Sequence, residues 1–220
     1  MHDIRTYARK VHLSRTKSSR VWALALAAIA GFAISSMCAA ERVVADEIRR
    51  WDTCADLTWK IDATGNSAAT QRTMRRAVRQ FVVASGLKFR FAGIAGAGEF
   101  DAPPRNTLVL GVRGDLVGTG IAGLTSVSYV SEEGAGKLIS GVRVAINPQV
   151  AQRSVSGLPD LMPVLLHELG HVAGLDHVDD KADLMYPYIV NVSRYRPRDV
   201  AKMRAVSQMM ACPGAGLPGR

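Results

Sequence analysis

From Leu57 to Ile61 apolar and polar side chains alternate, with Leu57, Trp59 and Ile61 set against Thr58 and Lys60. A period of two predicts a half-buried strand. The period then changes. Met74, Ala77, Val78, Phe81 and Val82 recur at helical spacing opposite Arg72, Arg75, Arg76 and Arg79, with Asn66 or Ser67 as cap and Gly86 as stop. Alternation resumes at Leu87, Phe89 and Phe91, and the Gly-, Ala- and Pro-rich stretch 93–105 reads as a loop. Thr107 to Val112, Gly123 to Val130 and Gly141 to Ile146 read as three more strands, the last two separated by the polar loop 131–137. A helix begins at Pro159 and Asp160, buries Leu161, Val164, Leu165, Leu169 and Val172, and ends at Gly174. Pro163 fits there because it falls in the first turn. Arg198 to Met209 predicts a last amphipathic helix with Val200, Met203 and Val206 inward. Five strands interleaved with helices predict an α+β chain, an α/β sandwich of one twisted mixed sheet and a few helices.

The N-terminus reads as an export signal. Arg5, Arg9, Lys10, Arg15, Lys17 and Arg20 form a basic lead, Val21 to Ile34 an apolar run, and Cys38-Ala39-Ala40 a small-residue cleavage region. Cleavage is expected after Ala40, with Ala45 as the second choice; an uncleaved segment would act as an anchor. The organisation predicted is a signal peptide over 1–40, a short lead over 41–52, one domain over 53–212 and a disordered tail over 213–220. Composition changes its meaning accordingly. The chain's formal charge of +9 includes six basic residues and one acidic residue of the signal, and the remainder carries +4. So small an excess gives no footprint for nucleic acid, and no aromatic residues interleave with the helix arginines. Cys54 and Cys212, near the two ends of the remaining chain, make an even pair that an oxidising compartment would join.

The chemistry is concentrated in HELGHVAGLDH, from His167 to His177. It holds three of the five histidines, and the other two, His2 and His12, lie in the predicted signal. His167 and His171, four apart on a helix, project from one face and can meet one zinc ion at about 2.0–2.1 Å. Gly174 allows the turn that brings His177 to the same ion. Three nitrogens leave a fourth position for water, as in catalytic rather than structural sites. Zinc lowers the pKa of that water and polarises a carbonyl, while Glu168, beside the first ligand, is placed to act as general base and then acid.

The extended pattern resembles the HExxHxxGxxH signature of the metzincin metallopeptidases. Asp183-Leu184-Met185-Tyr186-Pro187 is similar to the Met-turn of the matrixin branch. The resemblance implies a metzincin-like, twisted, five-stranded mixed sheet with a long helix, an active-site helix and a C-terminal helix. It implies that Met185 lies beneath the zinc without binding it, and that Pro187, Tyr188 and Ile189 wall a specificity pocket. It also implies that the region Gly118 to Val130 supplies an edge strand for extended substrates. Three departures stand out: no cysteine-switch segment is recognised ahead of Trp51, no histidines remain for a second, structural zinc, and Ile189 stands where the family places a tyrosine.

These readings converge on a secreted, monomeric zinc endopeptidase that acts on protein or peptide substrates in extended conformation, with one catalytic zinc. Family analogy allows calcium, but Asp101, Asp115, Glu132 and Glu133 read as solvated carboxylates in no dedicated loop. No nucleic acid is expected, and a membrane only through an uncleaved N-terminal segment. Two rival functions use the same motif: a zinc hydrolase of cell-wall amide bonds, and a non-catalytic secreted module that keeps zinc for stability.

Overall fold

The computed structural model describes residues 5–12, 50–132, 136–152, 160–188 and 192–208. Its seven strands are β1 (Arg5–His12), β2 (Arg50–Trp51), β3 (Thr58–Ile61), β4 (Arg90–Ile94), β5 (Thr107–Val112), β6 (Ile121–Glu132) and β7 (Gly136–Ile146). The helices are α1 (Ala68–Ser85), α2 (Pro148–Ala151), α3 (Leu161–Val172) and α4 (Pro197–Gln208). One sheet runs in the order β1-β6-β7-β5-β3-β4, with β2 beside the start of β7. Pairing is parallel among β3, β4, β5, β7 and β2, and antiparallel at β6–β7 and β1–β6. This is the mixed α+β architecture that the hydrophobic pattern predicts, and it is consistent with a metzincin-like fold.

The five expected strands are β3 to β7, and two further strands extend the sheet. β2 is a two-residue pairing, too short to leave a periodic pattern. β1 lies within the segment read as the basic lead of an export signal, and it pairs along β6 from Arg5 opposite Tyr129 to His12 opposite Ile121. β4 starts three residues later than the alternation suggested, because Leu87 and Phe89 are already buried under α1 before the chain joins β3. β6 and β7 run longer than predicted, so the loop between them is shorter. The rest of the signal, residues 41–49, Glu133, Ile189, Cys212 and the tail lie outside the described residues. Among the described residues no helix is long and apolar enough to cross a membrane.

α1 forms where the arginine face predicts it. Ser67 caps its start by accepting from Thr70 N, and Gly86 ends it with a left-handed φ of 77°. Met74, Ala77, Val78 and Phe81 bury its apolar side while Arg72, Arg76 and Arg79 stay exposed. α4 closes the far end of α1: Ser207 Oγ donates to Ser85 O at 2.8 Å and Arg204 Nε to Ala84 O at 3.3 Å, satisfying carbonyls that the helix leaves open. The main core lies between the sheet and the α1–α3 pair. β5, the central parallel strand, is buried along its whole length. Its other face packs with Phe100, Leu116, Ile121 and Ala145 into a smaller core, under the loop that precedes β6.

Two side chains tie the sheet to the active-site helix and its approach. Trp51, fully buried, donates Nε1–H to Val172 O at 3.0 Å near the end of α3. Asn147, also buried, donates to Leu116 O at 2.8 Å and Ile121 O at 2.9 Å, which fixes the loop leading into β6.

Candidate active site

α3 is buried on every side, as its run of apolar residues requires, and two polar ligands ride within it. His167 is 1 % exposed and His171 5 %. After Val172 the chain turns at Ala173 and leaves through Gly174, whose φ of 86° is strained for any residue with a side chain. That exit carries His177 back over the helix. Its Nε2 lies 3.2 Å from His167 Nε2 and 3.2 Å from His171 Nε2.

Three ring nitrogens so placed are ligands aimed at one point. Two nitrogens bound tetrahedrally at 2.0–2.1 Å stand about 3.3 Å apart. The far side of each α3 ring confirms the polarity. His167 Nδ1 lies 2.6 Å from Leu184 O, and His171 Nδ1 lies 2.8 Å from Leu175 O. A carbonyl only accepts, so each Nδ1 carries the proton and each Nε2 offers its lone pair. Burial reinforces this. It depresses the His167 pKa to about 4, against the opposing pull of the Leu184 carbonyl, so the ring is neutral at ordinary pH. Among the described residues these three histidines are the one group whose ligand atoms gather closely enough to hold a metal. The donor set fits zinc.

Glu168 lies next in the helix and is fully buried beneath β6. Thr125 Oγ1 approaches its Oε2 at 2.5 Å and its backbone O at 3.1 Å, while Oε1 has no hydrogen-bond partner. Burial raises its pKa to about 8, a shift the Thr125 bonds only partly offset. Met185 is 2 % exposed, and its sulfur packs on Gly170, whose bare Cα leaves room on the helix side between the two ligands. Asp183, 1 % exposed, shapes the turn by accepting from Met185 N at 2.7 Å, and Arg198 of α4 pairs with it and with Asp180.

The structure thus brings His167, His171, His177, Glu168 and Met185 into one locus. Pro187 is half-buried, and Tyr188 is 44 % exposed with its ring 5.6 Å from Tyr186. The third residue of that wall, Ile189, lies outside the described residues, as does the cysteine expected to pair with Cys54. Asp101 pairs with Arg113 and Arg143.

Sequence reading missed the roles of Thr125 and Asp183. Thr125 left one signal: it is a polar residue at an inward position of β6, between Gly123 and Val127, where the alternation calls for an apolar one. Asp183 enters the sequence reading only as the first residue of the Met-turn pattern; its burial and its pairing with Arg198 leave no signal, since a carboxylate in a short polar turn is usually solvated.

Residues 144–206 match the matrixin family model, a stretch running from the end of β7 through α3 and the Met185 turn into α4. No curated protein matches the chain. The match and the histidine cluster together point to zinc binding and to a zinc metallopeptidase in general.

Proposed function

We propose that this chain is an exported zinc endopeptidase in which Glu168 is the general base. The observation that carries the reading is the convergence of three Nε2 atoms on one point, with the buried Glu168 next after His167 in the helix. When bound, zinc supplies Lewis-acid chemistry, acidifying water and polarising the scissile carbonyl. The residues of the chain do the rest. Leu184 O and Leu175 O hold two imidazoles in the ligating tautomer. Glu168 Oε1 is free to take a proton from the attacking water and return it to the leaving amine.

An extended peptide would add as a strand to the outer edge of β6. In the full-length chain β1 holds that edge in antiparallel register, so removal of residues 1–40 on export would open it. Pro187, Tyr188 and Ile189 would line the pocket beyond the cut. A monomer with one zinc and no nucleic-acid partner completes the reading. Cys54–Cys212 would join the ends of the exported domain.

The test is a diverse peptide library, with cell-wall fragments in parallel, assayed with zinc and with chelator. Peptide cleavage lost on chelation, and lost in Glu168→Ala while zinc stays bound, is the expected result. Cleavage of wall amides alone, or turnover by Glu168→Ala, would overturn it.

A further inference from the structure

The inner face of β6 meets α3 at Glu168, and two residues of that face, Gly123 and Thr125, touch its carboxylate. Thr125 is 1 % exposed and its hydroxyl reaches Oε2 at 2.5 Å. Gly123 is the neighbour in the alternating register. A Cβ there would stand 2.6 Å from Glu168 Oε1, 2.8 Å from its Cγ and 2.9 Å from Val164 Cγ1. The backbone at Gly123 has no left-handed φ. Its lack of a side chain therefore serves space and not chain conformation.

The two contacts differ in kind. Thr125 holds one oxygen by a hydrogen bond, and Gly123 makes room for the other without bonding it. A buried carboxylate whose two oxygens are treated so differently has a single orientation: one oxygen anchored, one left bare. The strand whose outer edge would take a peptide thus also aims the base. We infer that Gly123 and Thr125 are positioning residues for Glu168, setting which oxygen faces the reacting water. This rests on the peptidase reading above.

The experiment uses the zinc-loaded exported chain, freed of residues 1–40 so that the β6 edge is open, with Thr125→Val, Thr125→Ser and Gly123→Ala, reading kcat and KM on a cleaved peptide and zinc content by metal analysis. Thr125→Val should lower kcat by roughly tenfold or more with KM and zinc content unchanged, as expected for a group acting only in the transition state. Thr125→Ser, which keeps the hydroxyl, should recover most of the loss. Gly123→Ala should lower kcat while zinc stays bound. An unchanged kcat in Thr125→Val, or a loss that serine does not rescue, would overturn the inference. A second measurement needs no turnover. In the zinc-free chain, Thr125→Val should lower the Tm more when Glu168 is present than in a Glu168→Ala background, where only the bond to the backbone oxygen of residue 168 is left to lose; equal drops in both backgrounds would overturn the seat. A wild type that cuts no peptide while showing that coupling would sink the peptidase reading and leave the contact standing.

Discussion

His167 Nδ1 sits 2.6 Å from the carbonyl oxygen of Leu184, so the first zinc ligand on α3 is oriented by the residue just before Met185. The turn that follows the motif therefore reaches the histidine cluster through its backbone. It fixes the tautomer of a ligand 17 residues earlier in the chain. That turn is in turn held by Asp183, which accepts from Met185 N and pairs with Arg198 of α4.

Asp183→Ala should therefore weaken zinc binding although Asp183 touches no ligand. The change leaves Met185 N–H unpaired in a buried turn and frees Leu184 to shift, at about 1–3 kcal/mol of stability. Loss of an orienting partner behind a metal-bound histidine typically costs about 10–100-fold in metal affinity. Chelator competition measures the affinity and thermal unfolding the stability. Wild-type zinc affinity in Asp183→Ala would show that His167 is oriented without the turn.

Metal-free stability should depend on pH in a way that Glu168 dominates on the alkaline side. The folded chain keeps the Glu168 proton up to about pH 8, whereas the unfolded chain releases it near 4.5. Between those values the unfolded state binds fewer protons, so stability falls as pH rises. His167 acts in the other window: the unfolded chain binds its proton below 6.5 and the folded chain only below about 4, so stability falls as pH drops through that range. Denaturant unfolding of the wild type and Glu168→Gln isolates the first effect. The difference between them should grow from pH 4.5 to 8, to on the order of 5 kcal/mol, and then level off. A difference that does not change with pH would mean that the Glu168 carboxyl is not desolvated.

Trp51 should matter to the site despite lying on a two-residue strand. Its indole donates to Val172 O and its ring meets Phe89 edge-on, with centroids 5.0 Å apart. Trp51→Phe keeps an aromatic ring but strands that carbonyl in the core, at about 1–3 kcal/mol. Urea unfolding should show a lower midpoint with an unchanged slope. A midpoint equal to wild type would show that water replaces the indole.

Much of this was readable in the chain because it rests on short-range periodicity. The α1 face, the full span of β5 and the approach of α4 all follow from apolar spacing over a few turns or residues. The gathering of three histidines around one point is legible for the same reason: His167 and His171 lie on one helix, and Gly174 announces the return of His177. What escaped depends on long-range contact. Thr125 meets Glu168 across 43 residues, and Trp51 meets Val172 across 121. β1 escaped because its residues were assigned to a charged leader, and their pairing with β6 spans more than a hundred residues. Asp183 is buried by α4, a helix that its own turn does not predict.

Gly170 offers a test in which local propensity and tertiary packing pull in opposite directions. It lies inside α3, where alanine is favoured over glycine by about 1 kcal/mol. On that ground Gly170→Ala should stabilise the chain. The Met185 sulfur, however, occupies the space a Cβ would take, and Met185 is too deeply buried to swing clear. The packing cost should win, at about 1–3 kcal/mol, and displacement of Met185 should also loosen the zinc ligands on either side of it. Thermal unfolding with chelator competition should show Gly170→Ala less stable and weaker for zinc. The same substitution placed in Met185→Ala should then become neutral or stabilising, since the space is vacated and only the helix preference remains. Equal losses in both backgrounds would show that Gly170 is required for a reason other than its contact with Met185.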